Sequence, residues 1–332
     1  MDTNSKPLVS VLTPCYNTGR YIHRLLDSVI MQDYPRIQMI VVDDGSTDGS
    51  ADIIKSYVPL FHGKGYTLEY YRQENAGQSS AINRGLKKVR GEYLLWPDSD
   101  DFYRDDDTIS LLVETLRALP GDYAMARTWI NYLDENSLDV IGVDGPDKGE
   151  SEFENCLFAR NFCFPPGGVI VDFEKLREAT SLEIYCDRNA GQNWQLYLPI
   201  LFKYKCRTIP QAKYNVLSRA DSHSRGRYKS PEELIAKTNS YENTILVTLD
   251  GIKGLSSTKK EEYKKAIREK YAGERFAVAM SSGDRRMILK YKAELKSLGL
   301  SLDKRDAVKC SLAALHLLGL ARRINAFTKA RP

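Results

Sequence analysis

The feature that most constrains this chain is a regular alternation through its first hundred residues. The β-rich "LVSVLTP" (Leu8 to Pro14) precedes "YIHRLLDSVIMQ" (Tyr21 to Gln32), where Ile22, Leu25, Leu26, Val29 and Ile30 recur at helical spacing. "IQMIVVDD" (Ile37 to Asp44) is a short apolar run, and a helix is expected from about Ser50. "LEYYRQ" (Leu68 to Gln73), the helical "QSSAINRGLKKV" (Gln78 to Val89) and "EYLLW" close the series. Short apolar runs alternating with helices predict βαβ units, hence an α/β fold with a mostly parallel sheet flanked by helices. Ligands of such sheets bind beyond the carboxyl ends of the strands. Three ends carry distinctive polar run-outs, "TPCYN", "VDDGSTDGS" and "PDSDD", which are expected to converge in one crevice.

From about Thr108 the order loosens. A helix (Thr108 to Leu119) leads to the β-rich "DYAMARTWINYLD", then turn-rich sequence, "FPPGGVIVDFEKL" and a helix expected from around Asn193. Beyond Lys237 the pattern is mainly helical and rich in Lys and Glu. The chain's 332 residues suit one large α/β domain, placed at residues 1–235, with a helical C-terminal region at 236–332. The net charge of +4 hides an asymmetry: residues 251–332 carry 20 Lys and Arg against 8 Asp and Glu, the remainder 28 against 36. A basic tail reads as a solvated face or as attraction to an anionic surface. Basic residues there are not interleaved with aromatics, which argues against nucleic acid. From Asp306 to Lys329 an apolar stripe runs at helical spacing, so peripheral contact with an anionic leaflet is the alternative to packing on the chain's own domain. The six cysteines show no CxxC spacing, and neither a signal peptide nor a run of about 18 apolar residues is seen. The expectation is a cytoplasmic protein, at most docked on the inner face of the membrane.

"YLLWPDSDDFY" runs apolar residues straight into Asp98, Asp100 and Asp101, whose mutual repulsion needs a compensating partner. In an extended segment, residues two apart share a side at about 6–7 Å, so Asp98 and Asp100 are expected to point together and Asp101 away. Two convergent carboxylates suit a divalent cation that keeps positions open for phosphate oxygens; an acid/base dyad or a solvated turn is spelled the same way. Asp43 and Asp44 end another strand, before a helix start with Asp48 or Ser50 as N-cap. A buried Asp44 suits the N–H of a nucleobase. Pro14 fixes the exit from the first strand, Tyr16 offers a face for stacking, and Asn17 is placed to cap the next helix.

Together, "VSVLTPCYN", "IVVDDGSTDGS", "ENAGQSSAINRGL" and "GEYLLWPDSDD", in this order and spacing, resemble glycosyltransferase family 2 over residues 7–105, and more weakly to about residue 228. The resemblance implies a GT-A-type, Rossmann-like fold, with a donor half at 1–105 and an acceptor half at 106–235. It implies transfer of a sugar from a nucleotide-diphosphate sugar, a UDP-sugar foremost, to a saccharide or lipid-linked acceptor with inversion, in polysaccharide or glycan biosynthesis. Tyr16 and Asp44, with Pro14 and Asn17, would hold the base beside the loop Asn75 to Gly77. Asp98 would contact the ribose or the metal, and Asp100 would ligate Mg2+ or Mn2+ bridging the diphosphate. In "SRADSHSRGR", Arg219, His223 and Arg225 suit a diphosphate, on a loop of the kind that closes over the donor.

The sequence departs from the family at one place. Where relatives carry a Glu-Asp pair whose Asp deprotonates the acceptor, "AGQNWQLYLP" has Gln192 and Asn193, followed by Trp194. An amide takes up no proton at neutral pH. Gln192, Asn193 and Trp194 are therefore acceptor-side residues without a base. Asp187 becomes the candidate base, beside a route in which the leaving phosphate accepts the proton and one in which the protein binds a nucleotide sugar without turnover. A sugar nucleotidyltransferase would need a Gly-rich basic loop after the first strand, which "TPCYNTGRY" does not supply.

Overall fold

The computed structural model describes residues 6–145, 152–187, 191–219 and 228–302. In chain order the elements are β1 (Val9–Cys15), α1 (Ile22–Ile30), β2 (Ile37–Asp43), α2 (Ser50–Gly63), β3 (Thr67–Arg72), α3 (Gln78–Leu86), β4 (Tyr93–Leu95), β5 (Phe102–Tyr103) and α4 (Thr108–Ala118). They continue as β6 (Tyr123–Asp134), β7 (Val140–Asp144), α5 (Glu152–Phe158), a 3-10 turn at Pro166–Gly168, β8 (Val169–Asp172), α6 (Phe173–Ala179), α7 (Gln192–Lys203) and β9 (Lys205–Ser218). Three helices close the described chain: α8 (Pro231–Gly251), α9 (Ser257–Ser282) and α10 (Arg285–Ser297).

The expected alternation folds into a parallel block, β3-β2-β1-β4, with β1 paired to both β2 and β4. Every residue of β1 and β2 is buried, which is why these strands read as continuous apolar runs and not as alternating ones. Helix α1 covers the sheet with Ile22, Leu25, Leu26 and Val29, the stripe legible in the sequence. Beyond β4 the sheet becomes mixed: β8 pairs antiparallel with β4 and β6, while β9 lies parallel to β6 and antiparallel to β5. The mostly parallel expectation therefore describes the first half, and the second half supplies the antiparallel strands.

Two polar residues within the parallel block fasten its connections. Ser10 and Gln38 lie in register, and the Ser10 hydroxyl donates to Gln38 Oε1 at 2.6 Å. The same Oε1 accepts from the Arg90 N–H at 3.0 Å, while the Ser10 hydroxyl oxygen accepts from the Gly91 N–H at 2.9 Å. The α3-to-β4 connection is thus pinned where β4 enters beside β1, and β4 aims the acidic run-out.

By its internal contacts the chain divides into two units, Met1–Ser222 with Val247–Leu255, and His223–Leu246 with Ser256–Pro332. The expected boundary at residue 235 falls inside α8. The second unit has its own core of Ile235, Ala272, Phe276, Ile288, Tyr291 and Leu295. No helix among the described residues is long and apolar enough to cross a membrane. The apolar stripe expected within 306–329 lies outside the described residues.

A Cβ added at Gly91 would lie 2.6 Å from the Ser10 backbone nitrogen and 2.8 Å from the Leu8 carbonyl oxygen, neither able to move without shifting β1. Gly91→Ala is expected to cost about 1–3 kcal/mol, read as a lower urea midpoint. Gly63→Ala, at a helix position with open space around it, should leave the midpoint level or slightly raised.

Candidate active site

The first two run-outs are stitched to one another. Strand β1 continues through Pro14 to Cys15, and at Pro14 it is paired on the β2 side alone, its pairing with β4 having ended at Val11. Proline therefore stands where a missing N–H leaves no gap in a ladder. Asn17 adopts φ +51°, accepts a hydrogen bond from the Thr47 N–H at 2.8 Å and sends its own N–H to the Ser46 hydroxyl at 3.0 Å. It does not cap α1, as its position suggested; it ties the β1 run-out to the β2 run-out. Asp48 Oδ1 accepts from the Ser50 N–H and hydroxyl, and Oδ2 from the Gly19 N–H. Burial pulls the Asp48 carboxyl upward, but those hydrogen bonds outweigh it and hold the group below its usual range. Tyr16, just beyond β1, is left 51% exposed.

Asp44 is buried and turned into the protein. Its Oδ1 accepts from Gln73 Nε2 at 2.8 Å and the Ala76 N–H at 2.9 Å, and its Oδ2 accepts from the Gly77 N–H at 2.8 Å. A carboxylate has about four lone-pair sites, so roughly one remains for a ligand N–H. The loop Asn75–Gly77 is thus shaped by the residue expected to read the base. Gly45 permits the approach: at φ +81°, a Cβ there would stand 3.0 Å from the Asn75 nitrogen. Gly77, at φ +91°, ends the loop immediately before α3, and Asn75 stays exposed.

The acidic run-out is not extended. Residues 98–101 form a turn closed by the Asp101 N–H on the Asp98 carbonyl at 3.2 Å, so two-residue alternation does not decide where the carboxylates point. Each finds its own partner instead. Asp98 accepts from Gln78 Nε2 at 2.8 Å, at the first residue of α3. Asp100 pairs with Arg219 at 3.0 Å, and that guanidinium also lies over the Tyr21 ring at 4.9 Å. Asp101, only 4% exposed, accepts from the Leu217 N–H at 2.9 Å and fastens the turn to β9. Burial, then the Asp100 charge, push the half-buried Asp98 carboxyl up to about 7. Burial, then Asp100 and Asp98, push Asp101 well above the usual carboxylate range.

Helix α7 begins with the amide pair. Gln192 is buried, and Asn193 Oδ1 accepts from Trp96 Nε1 at 3.1 Å. Trp194 Nε1 donates to the Cys156 carbonyl at 3.0 Å. These contacts make the start of α7 a brace for β4 and α5. Asp187 lies half-buried on a segment whose carbonyl at 187 would meet a Gly77 Cβ at 3.9 Å, beside the loop Asn75–Gly77. His223 and Arg225 lie outside the described residues.

The fold therefore brings Tyr16, Asn17, Asp44, Gly77, Asp98 and Asp100 to the carboxyl ends of β1, β2 and β4. Sequence reading passed over Gln78, Asn83 and Gln195. The first two stand in "GQSSAIN", five apart on α3 and so about 140° apart around it. That spacing lets one helix face two neighbours. Among the described residues no group of three or more His, Cys, Asp or Glu is arranged to hold a metal. Asp98 and Asp100 offer two carboxylates raised in energy by each other's charge, a donor set that fits a hard divalent cation completed by water and diphosphate oxygens.

Residues 10–175, half of the sequence, match the family described as glycosyl transferase family 2. The chain belongs to that family. Glycosyltransferase GlyA of Streptococcus pneumoniae is 42% identical over 153 residues, 46% of this chain and 21% of GlyA. The putative teichuronic acid biosynthesis glycosyltransferase TuaG of Bacillus subtilis is 42% identical over 104 residues, 31% of this chain and 40% of TuaG. The chain thus spans less than half the length of these two relatives. Among solved structures, S. aureus TarS 1-349 in complex with UDP-GlcNAc superposes with TM-score 0.63 at 18% identity, over 94% of this chain and 88% of that one. The mannosyltransferase PcManGT of Pyrobaculum calidifontis, in complex with GDP-Man and Mn2+, gives TM-score 0.51 at 18% identity, over 99% and 85%. At that identity they speak for the fold, which is the expected GT-A type.

The raised Asp98 carboxyl gives this family 2 site a pH signature. Between the unfolded value near 4 and the folded value of about 7, the folded protein binds more protons than the unfolded chain, so this group's contribution to stability falls as pH rises through that window. Asp98→Asn is expected to raise the melting temperature at pH 8 and to lose the advantage below about pH 5, read by thermal unfolding across pH.

Proposed function

We propose that the chain transfers a sugar from a nucleotide-diphosphate sugar, a UDP-sugar foremost, to a saccharide or lipid-linked acceptor of a cell-surface polysaccharide. The observation that carries this is the acidic turn beyond β4 in a family 2 chain. Asp98 and Asp100 lie at the carboxyl end of the parallel block, near enough that the Asp100 charge raises the Asp98 carboxyl, and Asp98 bonds Gln78, the residue next to the loop that Asp44 holds. The structural neighbours lend support, UDP-GlcNAc being bound to TarS and GDP-Man with Mn2+ to PcManGT. The name of TuaG points to a surface polymer. The proposed site of action is the cytoplasmic face of the membrane, where lipid-linked acceptors present their sugars.

On this reading Tyr16 stacks on the base, and the remaining lone-pair site of Asp44 takes a base N–H, with Pro14 and Asn17 fixing the loop around it. Asp98 and Asp100 hold Mg2+ or Mn2+, which when bound neutralises charge developing on the departing nucleotide diphosphate. Arg219 pairs with Asp100; where a cation takes the Asp100 oxygens instead, its guanidinium would turn to diphosphate oxygens, and His223 and Arg225 follow it in sequence. Gln192 and Asn193 bear on the acceptor side without moving a proton. Asp187 is the group proposed to take the proton from the acceptor hydroxyl, giving inversion. A silent nucleotide-sugar binder is the second reading, favoured by the two amides alone.

The test is a thermal-shift panel of UDP, GDP, TDP and CDP, with and without Mn2+, beside release of free nucleotide diphosphate from the matching sugars. At least one nucleotide should stabilise the protein only with metal, and Asp100→Ala should abolish that stabilisation. Equal stabilisation of the Asp100→Ala protein would overturn the metal assignment, and stabilisation with no release from any donor sugar would favour the silent binder.

A further inference from the structure

Between α3 and α7 a short stretch of chain pairs with no strand among the described residues, yet its backbone is hydrogen-bonded as though it had one on each side. At Ile184 the N–H donates to Asn83 Oδ1 at 2.8 Å, and the carbonyl accepts from Asn83 Nδ2, also at 2.8 Å. At Tyr185 the N–H donates to Gln195 Oε1 at 2.6 Å, and the carbonyl accepts from Gln195 Nε2 at 3.0 Å. Consecutive residues of extended chain present their N–H and C=O groups to opposite sides, so one amide serves each edge. Asn83 reaches further to Cys186 Sγ at 3.2 Å, and Gln195 to the Gly191 carbonyl at 3.2 Å. Asn and Gln do this at neutral pH with one uncharged group, a donor and an acceptor side by side.

We propose that Asn83 and Gln195 are positioning residues, replacing absent neighbouring strands to hold Ile184 and Tyr185 and thereby to fix Asp187 beside the donor loop. The placement supports the purpose. Asp187 follows the held pair by two residues, and its carbonyl lies against Gly77 of the loop that Asp44 shapes. Helix α3 carries both Gln78, which bonds Asp98, and Asn83, so one rigid element sets the acidic turn and the 184–187 segment relative to one another. Gln195 stands three residues after Gln192 on α7, one turn on from the amides that replaced the family's acids. The inference rests on the proposed role of Asp187 for its catalytic consequence, but not for the bracket itself.

Hydrogen exchange of the full chain tests the bracket without any ligand. In Asn83→Ala the Ile184 amide, and in Gln195→Ala the Tyr185 amide, should exchange at least about tenfold faster, with amides of β1 and β2 unchanged as the control for folding. Wild-type exchange rates at both positions would overturn the proposal. Turnover is read as nucleotide-diphosphate release from whichever sugar of the UDP, GDP, TDP and CDP series is hydrolysed fastest. Both variants should keep the nucleotide Kd and donor KM within about twofold while kcat falls at least tenfold. Asn83→Asp adds a readout that a merely structural side chain would not move. The protonated carboxyl presents a donor and an acceptor to Ile184 as the amide does, whereas the carboxylate turns only acceptors toward its carbonyl. The ratio of variant to wild-type kcat should therefore climb as pH is lowered from 8 to 5.5, and a flat ratio counts against the positioning role. If exchange speeds up but kcat does not fall, the bracket is structural only and the proposal fails. If Asp187→Asn turns over like wild type, it is the base assignment that fails, and exchange at Ile184 and Tyr185 still decides the bracket.

Discussion

Like-charge repulsion at the turn beyond β4 sets the terms for the rest of the site. Two unit charges about 6 Å apart at an effective dielectric near 20 repel by about 3 kcal/mol, so three carboxylates within four residues do not share a half-buried turn without counterparts. The fold supplies a different one to each: an amide to Asp98, a guanidinium to Asp100 and a backbone N–H to Asp101. The compensation is incomplete. Asp98 and Asp101 remain pushed toward protonation by burial and by their neighbours' charge, which is the condition under which an arriving cation gains most.

Two of those three counterparts come from the end of β9, more than a hundred residues along the chain. Leu217 and Arg219 thereby draw the far end of the sheet onto the strand ends of the parallel block. The guanidinium at Asp100 is also seated on the Tyr21 ring, so the charge that balances the turn is braced by an aromatic face at the start of α1. A cation at Asp100 and Arg219 at Asp100 are alternatives for the same oxygens. On the proposed reading, displacing the arginine would place a second positive group within reach of the anion that accompanies the cation.

The first hundred residues were largely legible because their cues are local. Strand runs, the helical stripe of α1 and the polar run-outs all lie within seven or so residues of what they specify, and the parallel block follows from them. What sequence reading missed depends on partners distant in sequence. Asn17 reads as a helix cap by its place before a helix, yet it bonds Thr47, thirty residues on. Asp44 reads as a free ligand group, yet it first organises residues 73–77. The DxD spacing suggested an extended segment with two carboxylates on one side, and the turn at 98–101 removes that argument while keeping the carboxylates together for another reason. Arg219 was visible as one basic residue among several; nothing local marks it as the partner of Asp100.

The amides at the start of α7 make sense within the same electrostatics. Asn193 bonds the indole of Trp96, only two residues before Asp98, so a carboxylate in its place would bring another negative charge toward a turn already short of compensation. A neutral amide still satisfies the buried indole N–H and adds no charge. The consequence is that α7 has no group able to take a proton where its relatives' pattern has one. A carboxylate that does so must come from another segment of the chain. On the proposed reading Asp187 supplies it, on a segment between α3 and α7 whose backbone is held by two neutral amides and whose carbonyl at 187 lies beside Gly77. On the proposed reading, moving the acid from the helix start to the bracketed segment separates two tasks the family combines in one motif, bracing β4 and accepting the proton. That is why the brace here is free to be uncharged.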